Sequence, residues 1–302
     1  FYPSPFDEGI IITLDGVGEW TTSSVCIGKN NELNIIKEIH FPDSLGLLYS
    51  AFTYYLGFKV NSGEYKIMGL APYGSPIYKD LILNNVIELK SDGSFHLNQK
   101  YFDYVVGLKM INSNFEKLFG KKTRKAETEN LEQFHMDVAS SIQYVLELII
   151  LKIIKNVFSE HKISNLCMAG GVALNCVANG KILNSQTFKN LWVQPASGDA
   201  GGALGAALYM WHHELRKKRE ISFPDSMNGS YLGKEYTNHE IEFELKAIGA
   251  NYQKFDDNSL IDFISDSIIK NKAVGWFQGR MEFGPRALGG RSILGNAKSQ
   301  KT

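Results

Sequence analysis

The sequence predicts an α/β fold, and three observations support it. Past residue 160, short apolar runs alternate with helix-like stretches, the pattern of layered α/β proteins. Two strand-to-helix connections are rich in glycine, one at Gly170-Gly171 and one from Gly198 to Gly202. Residues 9–40 read as consecutive strands joined by short polar turns, one of which opens with Asp15-Gly16.

Ile10 to Leu14 is apolar and β-branched, so it is the first predicted strand. Asp15 to Gly18 forms a turn, Trp20 to Ile27 returns as a strand, Lys29 to Glu32 turns again, and Leu33 to His40 completes a meander. Residues 44–57 place apolar side chains at helical spacing, with Ser44 as N-cap and Gly57 as the stop. Gly63 to Gly74 (GEYKIMGLAPYG) reads as a loop. Residues 77–130 are more polar, with a hairpin-like piece from Val86 to Leu97 turning at Asp92-Gly93. The charged stretch Lys121 to Glu132 is expected on the surface. From about Leu131 to Glu160, Val138, Ile142, Val145, Ile149 and Ile153 recur at steps of three and four, which predicts a largely buried helix.

Ile163 to Ala169 is then a strand, Val172 to Asn184 a helix and Leu191 to Val193 a short strand. A loop from Pro195 to Gly202 leads into a helix from Ala203 to Lys217. Pro224, Asp225, Asn228 and Gly229 interrupt the periodicity, so a boundary near 223 divides residues 1–222 from 223–302. Beyond it the sequence predicts helices over 238–248 and 259–271, a strand from Ala273 to Phe277, and a Gly/Arg-rich loop from Gly279 to Gly295.

Lys+Arg and Asp+Glu each number 32, so no net field exists to hold nucleic acid or an anionic membrane, and neither partner is expected. Three scattered cysteines, Cys26, Cys167 and Cys176, make neither a disulfide framework nor a zinc site. They fit a reducing, cytoplasmic compartment. No apolar run reaches the ~18 residues of a membrane span. The chain opens almost directly into a strand and stops just after its Arg/Gly segment, so both ends read as cuts through a larger protein.

Four segments are candidates for chemistry. Asp15, at the end of an apolar strand and followed by Gly16 and Gly18, places a carboxylate beside backbone N–H groups that can hold a phosphate, while the carboxylate can ligate a cation. The same residues also suit an ordinary hairpin turn. Gly170 and Gly171, leading to Asn175, aim a helix N-terminus at an anion or simply make a tight connection; no Walker A lysine follows. Gly198, Asp199, Gly201 and Gly202 open a helix of small residues, where Asp199 is a ligand or an N-cap. Arg280, Arg286 and Arg291, spaced by glycines, suit a planar oxyanion or a solvated basic loop. Two glycine-rich strand–helix loops and an Asp-Gly turn in one chain fit the actin and sugar-kinase type of nucleotide-binding fold.

The segments around Asp15-Gly16, Gly63 to Gly74, Gly170-Gly171, Gly198 to Gly205 and Gly275 to Gly289 occur in an order that resembles the NodU/CmcH-type O-carbamoyltransferases, over essentially the whole chain. The resemblance implies an incomplete actin-like (ASKHA) ATPase domain followed by the beginning of a YrdC-like α/β domain. It implies that the YrdC-like part makes carbamoyl adenylate from ATP and carbamoyl phosphate. The actin-like part then passes the carbamoyl group to a hydroxyl of a small molecule or glycan. It further implies a divalent metal, iron above all, with magnesium possible beside ATP, held by Asp15, Asp199 and two histidines of an HHxxHA motif. That motif is absent here and is expected upstream of Phe1. Arg280, with Arg286 and Arg291, matches the anion-binding segment, and Lys66 and Glu64 are expected at the transfer site or as a structural pair. The competing readings are a threonylcarbamoyl-transferase acting on tRNA, a kinase of the same fold, and an inactive fragment.

Overall fold

The computed structural model describes residues 1–299; Gln300 to Thr302, the end of the C-terminal segment, lie outside the described residues. The chain separates into two compact units, Phe1–Pro224 and Asp225–Thr302.

The first unit is built on a five-stranded mixed sheet. Its strands are β1 (Glu8–Leu14), β2 (Thr21–Lys29), β3 (Glu32–His40), β6 (Asn165–Ala169) and β7 (Asn190–Val193), in the order β3-β2-β1-β6-β7. β1, β2 and β3 run antiparallel, Ile10 facing Ile27 and Cys26 facing Ile35. β1 pairs parallel with β6, Ile12 facing Met168, and β6 parallel with β7, Met168 facing Val193. Side chains on both faces of β1 are buried, as expected of a central strand beside a parallel neighbour.

Between β3 and β6 lie α1 (Leu45–Tyr55), α2 (Glu64–Leu70), α3 (Lys79–Asn85), the small hairpin β4 (Ile87–Leu89) and β5 (Phe95–Leu97), α4 (Ser113–Phe119) and α5 (Gln133–His161). Ser44 caps α1 by accepting from the Leu47 N–H at 3.0 Å. Leu45, Leu48, Phe52 and Tyr55 repeat at three and four, so one stripe of α1 is buried. α5 buries Val138, Ile142, Val145 and Ile149 in the same way and packs on α1, α2, α3 and α6 (Cys176–Asn184). The end of α1 is locked by aromatic contacts to α4, with ring centroids 5.1 Å apart for Phe52–Phe115 and 5.2 Å for Tyr55–Phe115.

Several expectations are corrected. Gly63 to Gly74 is not a loop: it contains α2 and a 3₁₀ turn, Ala71–Tyr73. Ile67 and Leu70 are buried three residues apart, too short a repeat to stand out in a Gly/Pro-rich segment. The charged stretch from Lys121 is not wholly on the surface. Arg124 is buried, with its Nε donating to the Leu56 carbonyl at 2.7 Å and its NH1 to the Glu129 carbonyl at 2.8 Å. Gly57 is needed for that contact, since a Cβ there would lie 2.5 Å from the Arg124 carbonyl oxygen. The helix expected from Val172 is a 3₁₀ turn, Gly171–Leu174, followed by α6. α7 (Ala200–Tyr209) starts three residues early and closes in a π turn, Met210–Glu214.

Arg219 closes the unit. Its buried guanidinium donates to the carbonyls of Tyr2 (3.0 Å), Phe6 (2.7 Å), Phe1 (3.1 Å) and Ser4 (2.7 Å) and lies over the Phe1 ring at 4.4 Å. Arg219→Ala strands these carbonyls and is expected to destabilise the unit by about 3 kcal/mol, read as a lower urea midpoint. An unchanged midpoint would mean the segment before β1 is held by other contacts.

The second unit contains α8 (Asn238–Ala247), α9 (Asp257–Ile269) and an antiparallel pair, β8 (Val274–Phe277) and β9 (Arg291–Leu294). Residues 291–294 were expected in a loop. They form a strand because Ile293 faces Gly275 and Leu294 faces Val274, a pairing invisible in so short a run. The α/β class is observed. Among the described residues, no helix is long and apolar enough to cross a membrane.

Candidate functional site

Because β1, β6 and β7 are parallel, Leu14, Ala169 and Val193 end at one edge of the sheet. The three loops that follow them therefore share that edge, the usual place for ligands in α/β sheets. These loops carry Asp15 to Gly18, Gly170 to Asn175, and Gln194 to Asp199.

Asp15 links the first two. Its Oδ1 accepts from the Gly16 N–H at 2.8 Å and from the Gly171 N–H at 3.2 Å, 156 residues away. Its carbonyl accepts from Gly46 N–H (3.2 Å) and Ser44 Oγ (2.8 Å), which docks the start of α1 here. The Gly170 N–H donates to the Ser197 carbonyl at 2.8 Å and so links the second loop to the third. Gly170 adopts φ +88°, and a Cβ on it would sit 2.2 Å from the Leu14 carbonyl oxygen. Gly201 packs as closely, with a would-be Cβ 2.0 Å from the Ala196 carbonyl oxygen. Gly18, at φ +59°, closes the hairpin.

Asp199 stands two residues past Ser197 on this third loop, exposed, with helical backbone angles. Its side chain makes no cap bond, so the N-cap alternative does not apply. Gly198 and Gly202 have open space where a side chain would be, so the backbone is accessible from outside.

Asn175 faces inward. Its Oδ1 caps α6 through the Ala178 N–H at 3.0 Å, and its Nδ2 donates to Gln143 Oε1 at 2.9 Å. Gln143 also accepts from the Tyr49 hydroxyl at 2.9 Å. Burial pushes the Tyr49 hydroxyl pKa up, so it stays a donor. Tyr49 and Gln143 were missed in the sequence; the one signal was a glutamine within the apolar stripe of α5. Asn175 therefore fixes the loop rather than presenting an amide to a ligand.

Glu64 is likewise spent locally. Its carboxylate accepts from Ser50 Oγ (2.9 Å), Asn61 N–H (2.9 Å) and Gly63 N–H (3.1 Å), stapling the start of α2 to α1. Lys66 is exposed, with its ammonium 5.8 Å from the Phe58 ring centroid. Among the described residues, no hydrogen bond or ion pair ties either residue to Asp15.

In the second unit the arginine segment is a clasp rather than an open anion pocket. Arg291 lies on the Phe277 ring at 3.3 Å and donates to the carbonyls of Gln278 (3.0 Å), Gly279 (3.2 Å) and Gly290 (2.7 Å). Arg280 donates to the Gly233 carbonyl at 3.1 Å and sits 3.6 Å from Glu235. Arg286 lies on the same loop. The anion in this segment is the protein's own: Glu282 Oε1 accepts from Leu288 N–H (2.8 Å), Gly290 N–H (2.7 Å) and Arg291 N–H (3.2 Å). Its own backbone N–H first, and then those of Leu288, Arg291 and Gly290, hold the Glu282 pKa down to about 2 from 4.5. A depressed carboxyl stabilises the folded form above its unfolded pKa and loses that effect as pH falls through the folded value. The β8–β9 clasp is therefore expected to loosen between pH 4.5 and about 2. Trp276 fluorescence should report the change, and Glu282→Gln should abolish the transition. A transition that persists in that variant would assign it to another group.

Among the described residues there is no group of three or more His, Cys, Asp or Glu that could hold a metal ion. Asp15 and Asp199 supply two carboxylates, fewer donors than a protein metal site uses. The residues present do not make a metal centre by themselves.

The family model described as the carbamoyltransferase N-terminus matches residues 1–208, and the one described as the carbamoyltransferase C-terminus matches residues 265–302. An uncharacterized protein of a Synechocystis strain, sll1178, is 56% identical over 99% of this chain and 49% of its own length. Nodulation protein NolNO of Sinorhizobium fredii is 34% identical over 99% of the chain and 42% of its own. Nodulation protein NolO of Bradyrhizobium diazoefficiens is 34% identical over 99% and 52%. The chain thus spans about half the length of the curated relatives it matches. With these matches running through both the sheet-edge loops and the arginine segment, the chain belongs to the carbamoyltransferase family.

Proposed function

We propose that the chain takes part in ATP-dependent O-carbamoyl transfer, and that the sheet edge of its first unit is where the carbamoyl group is passed on. The observation that carries this reading is the convergence of three glycine-bearing loops, with the Asp15 carboxylate held by the Gly16 and Gly171 N–H groups. In the first reaction ATP, carbamoyl phosphate and water give carbamoyl adenylate, pyrophosphate and phosphate. In the second, an acceptor hydroxyl oxygen attacks the carbamoyl carbon, the bond to the adenylate phosphate breaks, AMP leaves with the electron pair, and the hydroxyl proton is released.

The residues suit the second step. Open space at Gly198 lets a phosphate approach the backbone of this loop closely, where N–H donors stabilise charge without reorganising. Asp15 Oδ1 is fixed by two amides, which leaves Oδ2 to orient the attacking hydroxyl and take up its proton. Asp199, on the third loop, is given the side of the leaving group. ATP is the nucleotide. The acceptor is a hydroxyl-bearing small molecule or glycan. Adenylate formation is assigned to the second unit.

The test is incubation of a polypeptide of the relatives' length containing this chain with ATP and carbamoyl phosphate. Pyrophosphate release and a carbamoyl–AMP product support the reading. ADP formation without either product would favour a kinase and sink it. Asp199→Ala should leave adenylate formation intact and block transfer.

A further inference from the structure

The first unit holds a concavity that the sheet-edge site does not use. An open groove of about 1440 Å³ lies at the C-terminal end of α1, bordered by α2, the loop 103–112 and the segment 122–129. Asp15 contacts the opposite end of α1 through Gly46. A helix rises 1.5 Å per residue, so Leu45–Tyr55 separates the two places by roughly 15 Å.

The groove's rim is cationic. Lys59, Lys66, Lys109, Lys122 and Lys125 line it, all exposed. None of the five forms a salt bridge among the described residues; lysine bridges fall on Lys29, Lys37, Lys121, Lys246, Lys254 and Lys270 instead. Asp103, Glu116, Glu127 and Glu129 also line the groove, so with Arg124 six cations face four carboxylates and the lining keeps a net positive charge. Glu116 accepts from the Thr123 N–H (2.9 Å) and Oγ1 (2.8 Å), and Glu129 accepts from the Lys125 N–H (3.1 Å). Arg124 is likewise committed to two carbonyls and serves as a wall. Tyr54, Phe58 and Ile111 supply an apolar floor, and Leu108 stands fully exposed at the edge. Ammonium groups without salt bridges around an aromatic floor, in a volume above the ~300–1,000 Å³ of small-molecule pockets, suit an organic anion.

We propose that this groove is a binding site for a small molecule carrying a phosphate or carboxylate on an apolar body, separate from the sheet-edge loops. The proposal does not depend on carbamoyl transfer, so either can fail alone.

The test is calorimetric titration of the 302-residue chain with phenyl phosphate, inorganic phosphate and phenol. Phenyl phosphate should bind at least about tenfold more tightly than either of the others, with affinity falling as salt rises. Combining Lys59→Gln, Lys109→Gln and Lys122→Gln should weaken phenyl phosphate about tenfold and flatten the salt dependence. Replacing Lys155, Lys181 and Lys189 by Gln should change neither. Leu108→Ser should reduce the preference for phenyl phosphate over phosphate while leaving phosphate binding as it was. The proposal is overturned if phenyl phosphate does not saturate, if both triple variants behave alike, or if phenol binds as tightly as phenyl phosphate.

Discussion

Asp15→Asn is expected to lower carbamoyl transfer by about 10²–10⁴-fold without moving the unfolding midpoint. The amide keeps an Oδ1 that can accept from the Gly16 and Gly171 N–H groups, so the link between the first two loops survives. What disappears is the negative charge and the proton acceptor at Oδ2. Asp15→Ala would remove charge and link together and could not separate the two. The readouts are the rate of carbamoyl ester formation and, in parallel, pyrophosphate release, which should persist because adenylate formation is assigned to the second unit. Wild-type transfer in the Asn variant would leave Asp15 as a loop staple and move the chemistry elsewhere.

Gly170→Ala should destabilise the first unit by about 3–5 kcal/mol. Two costs combine. An L-residue is strained at φ +88°, and the new Cβ would lie 2.2 Å from the Leu14 carbonyl oxygen and 2.5 Å from its carbonyl carbon. Leu14 cannot yield easily, because it belongs to β1, paired on one side with β2 and on the other with β6. Any shift of residue 170 also pulls on its bond to Ser197 and so on the third loop. Gly202→Ala is the contrast: it lies inside α7 with open space around it, and should be neutral or stabilising by up to about 1 kcal/mol. Urea midpoints of the two variants give the comparison. Equal midpoints would mean the edge is more pliable than its hydrogen bonds suggest.

Where the chain repeats a simple period, it could be read directly. The run of Val138, Ile142, Val145 and Ile149 predicts α5 to within two residues of its start, because burial on one helix face imposes steps of three and four. Ser44 and Gly57 were legible as helix ends for a similar reason: each satisfies backbone groups within a few residues of itself. The short elements were harder. α2 has room for only two buried positions, and β9 is a strand only because β8 lies alongside it.

The sequence by itself determined the α/β class, the glycine-rich loops, their order and the family they resemble, since these rest on local pattern. Only the tertiary structure decided which of those residues meet. It brought Asp15 to Gly171 across 156 positions, turned Asn175 and Glu64 toward their own backbone, and filled the arginine segment's N–H donors with Glu282. The reason is physical. A side chain's type states what it can bond, but its partner is chosen by strand register and helix packing, which bring distant backbone groups within three ångströms and compete with any ligand for the same donors.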